Sequence, residues 1–168
     1  MQETSEISEI VASLKTTKLR LIGIDGTDGS GKSTLAKHLS SQLGFAHINL
    51  DDHLEKNRGQ FVKYIKYDQV KGEIDKAKQP IVIEGVCLLA AIENLADPLD
   101  ILIYVKRVSD YGMWYEKEDC EVNEDIDEFI IRKKSGGSIP ALTEEIIRYH
   151  YKYKPYEKAG IIYKRIDR

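Results

Sequence analysis

Gly26 to Ser33 reads GTDGSGKS and fits the pattern G-x-x-x-x-G-K-[ST] in full. The residue types answer one chemical demand. A polyphosphate presents several anionic oxygens, and consecutive backbone N–H groups can wrap it only where no Cβ intervenes, which Gly26, Gly29 and Gly31 permit. A helix starting near Lys32 would turn its free N–H groups and positive dipole end toward the same charge. Lys32 would then bridge the terminal phosphates as a catalytic cation, and the Ser33 hydroxyl would ligate Mg²⁺. The binding stretch as a whole is Gly26, Thr27, Asp28, Gly29, Ser30, Gly31, Lys32, Ser33 and Thr34. The ligand this predicts is ATP, or another nucleoside triphosphate, with Mg²⁺.

Carboxylates supply the second group of candidates. Asp51 and Asp52 close the apolar run FAHINL. A carboxylate there could accept the proton of an attacking hydroxyl or hold the metal; capping a helix or turn is the structural alternative. Glu84 ends IVIE, an otherwise apolar run in which a charge is costly unless it meets a cation or donors. Mg²⁺ would satisfy it, and so would the start of a following helix.

These residues need elements to position them. LRLIGI reads as a buried strand before the loop, and STLAKHLSSQLG as an amphipathic helix closed by Gly44. FAHINL, IVIEG, LDILIYV and GIIYKRI read as further strands, giving a sheet of about five. Apolar Ile7, Ile10, Val11 and Leu14 predict a leading helix within residues 1–17. Residues 53–67 read as a loop or broken helix, Asp68–Ala77 as a helix, and Ser109–Tyr153 as two or three helices. Strand and helix alternate, which predicts an α/β fold: a mostly parallel sheet with helices on both faces. Residues 1–168 show no repeat, linker or low-complexity tract and read as one domain.

Composition excludes several classes. At 42% hydrophobic and 32% charged residues the chain suits a globular domain. A net charge of −3 gives no bulk attraction to nucleic acid or an anionic membrane, so neither is expected as a partner. No apolar run approaches the ~18 residues of a membrane span. The acidic N-terminus MQETSEISEIVASLK lacks the features of a signal peptide, and a cytoplasmic setting is expected. Cys87 and Cys120 form no metal-ligand spacing and are expected to be structural.

GIDGTDGSGKSTLA, INLDDHL and IVIEGVCLL, in this order, resemble the uridine kinase, nicotinamide riboside kinase and phosphoribulokinase group of phosphate-loop kinases. The resemblance implies the P-loop NTPase three-layer α/β/α fold and transfer of a γ-phosphoryl group from ATP to a small-molecule hydroxyl, such as that of a nucleoside. It makes Asp51 the general base and places Ser33, Asp51 and Glu84 near Mg²⁺. It puts Asp52, Tyr67 and Asp68 in the acceptor pocket, the ring against a base and the Asp68 carboxylate on ribose hydroxyls. A half-buried ring and a helix cap are the structural alternatives for Tyr67 and Asp68. RYHYKYKPYEKAGIIY resembles the group's terminal helix.

The departures are specific. The group carries several arginines in a mobile lid, whereas residues 107–135 offer Arg107 for the nucleotide amid many acids. Arg132, Lys133 and Lys134 read as a solvated face rather than a lid, and Trp114 as core rather than a base platform. His53 replaces the aromatic that usually follows the Asp pair. A nucleotide-binding regulatory ATPase, or a kinase-like chain without an acceptor, stays open beside the kinase reading. No TKxD or NKxD stretch of a GTPase switch is present.

Overall fold

A computed structural model describes residues 1–167. The elements run β1 Gln2–Thr4, α1 Ile7–Lys15, β2 Leu21–Gly26, α2 Lys32–Leu43, β3 Ala46–Asn49, α3 Tyr67–Lys76, β4 Ile81–Glu84 and α4 Leu88–Leu95. The second half holds β5 Ile101–Ser109, α5 Lys117–Cys120, α6 Ile126–Ser135, α7 Ala141–Tyr153, α8 Pro155–Lys158 and β6 Ile161–Asp167. The six strands form one sheet in the order β1-β6-β5-β2-β4-β3, and all its pairings are parallel. Helices cover both faces, giving the three-layer α/β/α architecture expected from the sequence.

The sheet has six strands where about five were expected. The additional one, β1, is the polar triplet Gln2-Glu3-Thr4, joined to the edge by backbone pairing with β6. Such a strand has no apolar alternation to reveal it.

Strand alternation sorts the core. Ile22 and Ile24 of β2, Val82 of β4 and Ile103 and Val105 of β5 face α1 and α2. Leu21, Ile81, Ile83, Leu102 and Tyr104 face the layer of α3, α4 and α7. Every residue of β2 and β4 is buried, because both strands lie inside the sheet and are covered on both sides. The functional groups gather at the carboxyl ends of these strands, where ligands collect in open α/β sheets.

Between Ser109 and Tyr153 the chain folds back on the core. A turn through Gly112 returns Trp114 to bridge Val108. Trp114 is buried, with its ring edge-on to Tyr104 and Tyr156 and the Lys106 ammonium 4.2 Å from its centroid. It is core, as expected. Arg132 pairs with Glu124, Lys133 with Asp119, and Lys134 with Glu144. Among the described residues no helix is long and apolar enough to cross a membrane.

Candidate active site

The turn from β2 into α2 is built by glycines in left-handed or extended positive-φ geometry: Gly26 at 154°, Gly29 at 69° and Gly31 at 102°. At Gly26 a Cβ would strike the Ser30 hydroxyl at 2.7 Å and the Val105 carbonyl at 2.8 Å, so the loop closes only with glycine there. Lys32 is 7% exposed, and its Nζ donates to the Thr27 carbonyl at 2.7 Å, arching the side chain back over the loop. Burial lowers its pKa, opposed by the carboxylates of Asp25, Glu84, Asp28 and Asp51. A polyanion would relieve that desolvation.

β3 and β4 bring in the acids. Asp51 and Asp52 lie in a single 3₁₀ turn, Leu50–His53, whose cap is Asn49: its side chain accepts from the Asp51 N–H at 2.9 Å. The Asp pair is thereby released from capping. Asp51 is exposed at the mouth of the site, yet protein crowds it; desolvation, then the nearby Glu84 charge, raises its carboxyl above the usual range. Glu84 is fully buried, with Oε1 3.3 Å from His47 Nε2 and Oε2 without any partner. It caps no helix, since α4 begins after Cys87. A buried carboxylate oxygen without a donor, close to a second acid, fits a divalent cation. Among the described residues no three His, Cys, Asp or Glu side chains converge on one point. The donor set therefore suits a hard cation bound chiefly through phosphate and water oxygens, the Ser33 hydroxyl and one carboxylate.

A cavity of about 680 Å³ opens beside this cluster. The acids Asp28, Asp51, Asp52 and Glu55, the apolar Phe61, Val86 and Leu142, and the bases Lys56 and Arg58 line it. The size suits a small molecule. Its outer loop is fastened from α7: Glu145 accepts from the backbone N–H groups of Phe61 at 2.6 Å and Val62 at 3.0 Å.

The expected residues divide between these places. The loop residues, Asp51 and Glu84 stand together around Lys32, and Asp52 borders the cavity. Tyr67 and Asp68 do not line it. The Tyr67 hydroxyl donates to the Val62 carbonyl at 2.7 Å, with the ring half-buried, and Asp68 is exposed on the first turn of α3. Arg107 is engaged by two acids: Nη2 meets Glu116 at 2.9 Å and Nε meets Asp167 at 3.6 Å.

Four residues escaped the sequence reading. Asp25 is fully buried, accepts from the Gly26 N–H at 2.7 Å and from the Tyr149 hydroxyl, and is raised to about 6 by burial. An acid inside the apolar run LIGID was the available signal. Tyr149 and Glu145 sit in a helix rich in polar residues and gave none. Arg165 of β6, which donates to the Gly29 carbonyl at 3.1 Å, is one base among several in YKRIDR. Cys87 and Cys120 are buried free thiols, both pushed above the ordinary thiol range by burial.

Parts of the chain are similar to known proteins. The family model for shikimate kinase matches residues 28–73. A Pyrococcus abyssi protein described as "Putative adenylate kinase" is 46% identical over 91 residues, 51% of this chain and 48% of that one. A shikimate kinase of Buchnera aphidicola is 30% identical over 105 residues, 54% of this chain and 59% of its own. The chain thus matches about half the length of these relatives. Among solved structures, one described as a "Possible Uridine Kinase" from Bacillus stearothermophilus superposes with a TM-score of 0.53 at 18% identity, covering 94% of this chain and 96% of that one. The fold is that of the phosphate-loop kinases. The acceptors named for these relatives differ, so no single acceptor follows from the likeness.

Proposed function

We propose that this chain is an ATP-dependent kinase that transfers the γ-phosphoryl group to a hydroxyl of a small molecule seated in the 680 Å³ cavity. The observation that carries the reading is the position of that cavity. Asp28 of the phosphate-binding loop and Asp51 both line it. An acceptor inside would present its hydroxyl between the general-base candidate and the end of a loop-bound triphosphate. Lys32 and the loop amides hold the phosphate oxygens in place, and Asp51 orients the attacking hydroxyl and accepts its proton. Ser33 and Glu84, with Asp51 nearby, would hold a Mg²⁺ ion, which would neutralise phosphate charge when bound. Phosphoryl transfer needs little else from the protein, because positioning and electrostatics carry most of the barrier.

A nucleoside or related riboside is the acceptor implied by the resemblance, with Tyr67 and Asp68 reading base and sugar. One observation favours a second acceptor, a compact hydroxylated acid: Tyr67 and Asp68 lie outside the cavity lining, whereas Lys56 lines it, as does Arg58, which Glu55 meets at 3.2 Å. Shikimate kinases among the relatives are consistent with it. The test is ATP consumption with ribosides, their 2′-deoxy analogues and hydroxylated carboxylic acids as acceptors. A riboside enzyme prefers ribo over deoxyribo, and Asp68→Ala flattens the preference. Turnover confined to the acids removes Tyr67 and Asp68 from the site. Turnover indifferent to every acceptor would falsify the kinase reading in favour of a regulatory ATPase.

A further inference from the structure

Arg165 lies against the outer side of the phosphate-binding loop. A Cβ at Gly31 would meet its Cδ at 2.8 Å and its Nη1 at 2.9 Å, so the side chain rests on bare glycine backbone. All three of its nitrogens already donate: Nη1 to the Gly29 carbonyl at 3.1 Å, Nε and Nη2 to Asp167 Oδ1 at 3.0 and 2.6 Å. Asp167 Oδ2 faces Arg107 Nε at 3.6 Å, and Arg107 is in register with Arg165 on the neighbouring strand. Arg107 in turn meets Glu116 at 2.9 Å. Two arginines are thus balanced by two carboxylates.

This placement is costly. A guanidinium beside Gly31, the N-cap of α2, opposes the positive end of the helix, and fixing so long a side chain costs rotamer entropy. With its charge matched by Asp167 and its nitrogens engaged, Arg165 still offers the flat face of the guanidinium, and the side chain keeps 35% exposure.

Sheet order decides which end of a nucleotide comes near it. Asp51 and Glu84 belong to the β4–β3 side of β2, and the cavity opens there; Arg165 belongs to the β5–β6 side. Two strand spacings, roughly 10 Å, separate β6 from β2. A triphosphate whose terminal phosphate faces Asp51 runs along the loop and leaves its base on the β5–β6 side. We infer that the Arg165 guanidinium, splinted by Asp167 and the Gly29 carbonyl, is the platform on which the base of the bound nucleoside triphosphate stacks. The inference rests on the phosphate-loop reading of the site. Stacking on a plane reads no hydrogen-bonding edge, so Arg165 favours the wide faces of purines without separating adenine from guanine.

Calorimetric titration with Mg-ATP and with Mg-tripolyphosphate, which has the phosphates and no base, tests this. The proteins are wild type, Arg165→Ala and Arg165→Lys, each checked for folding by thermal melting. Arg165→Ala should weaken ATP about 10- to 100-fold and leave tripolyphosphate within about twofold. Arg165→Lys should not restore ATP, since lysine supplies charge without a plane. Equal losses for both ligands, or rescue by lysine, would make Arg165 a phosphate clamp and overturn the platform; unchanged ATP affinity overturns it as well. A wild-type protein that binds neither ligand brings down the phosphate-loop reading itself, and this inference with it.

Discussion

Tyr149 of α7 donates its hydroxyl hydrogen to the buried carboxylate of Asp25, 124 residues earlier in the chain and one residue before the phosphate-binding loop. The same hydroxyl accepts from the Leu89 N–H at 3.1 Å, at the start of α4. One side chain therefore ties the root of the loop to the helix that follows Glu84. One turn earlier on α7, Glu145 fastens the cavity loop through the Phe61 and Val62 N–H groups. A single helix face holds both halves of the site.

Tyr149→Phe keeps the ring and removes the hydroxyl. Asp25 then loses its strongest donor in buried surroundings, and the Leu89 N–H loses its acceptor in partly buried ones. A destabilisation of about 1–3 kcal/mol is expected, read as a lower midpoint in urea unfolding with the slope unchanged. A midpoint equal to wild type would show that the pair contributes nothing net.

Asp25 and His150 should titrate against each other. Burial raises Asp25 to about 6, while an unfolded carboxyl titrates near ~3.9. Its contribution to stability is full below about pH 4 and is lost as pH rises through about 6. Burial lowers His150 to about 4, against ~6.5 unfolded, so its contribution is lost as pH falls from about 6.5 through 4. The two slopes oppose each other across one window. Asp25→Asn should unmask the His150 slope, with stability climbing from pH 4 to 6.5 more steeply than in wild type. Parallel profiles for the two proteins, by unfolding at half-unit steps, would exclude titration of Asp25 in this range.

Lys32→Ala should fold, because the loss of its hydrogen bond to the Thr27 carbonyl is offset by removal of a desolvated charge. Loss of a phosphate-clamping cation costs on the order of a thousandfold in rate. Turnover at the wild-type level by the folded variant would sink the assignment of the loop.

Asp51→Asn and Glu84→Gln should fail differently. The first should bind ATP and lose ~10²–10⁴-fold in rate if Asp51 is the base. The second should need more Mg²⁺ for half-maximal activity, since an amide is a poorer ligand for a hard cation. Full rescue of Asp51→Asn by added Mg²⁺ would reverse the two roles.

Much of this was legible from the sequence. The buried strands of β2 and β4 and the glycine loop between β2 and α2 are local patterns: apolar runs, turn residues and a helix start within a dozen positions. Asp51 and Glu84 were legible because each ends such a run. What the sequence hid depends on distant pairing. Tyr149 matters through Asp25, Glu145 through two backbone N–H groups more than 80 residues away, and Arg165 through a strand two places from the loop. Tyr67 and Asp68 were placed in the acceptor pocket by resemblance alone, and which side chains line the cavity beside the loop at 54–61 depends on how that loop packs, which no local pattern shows. β1 was invisible because backbone hydrogen bonds, with no side-chain pattern, make it a strand.

That edge strand also sets an order of events. β1 touches the sheet only through β6, whose residues are the last of the described chain to leave a ribosome. β1 must therefore wait, unpaired, until β6 has been made. Contacts of such long sequence separation form slowly, so docking of the N-terminal triplet marks completion of the sheet rather than its nucleation. An assembly intermediate with β2 through β5 in place and β1 and β6 free would expose the β5 edge, and chains stalled there would be the ones that associate with each other.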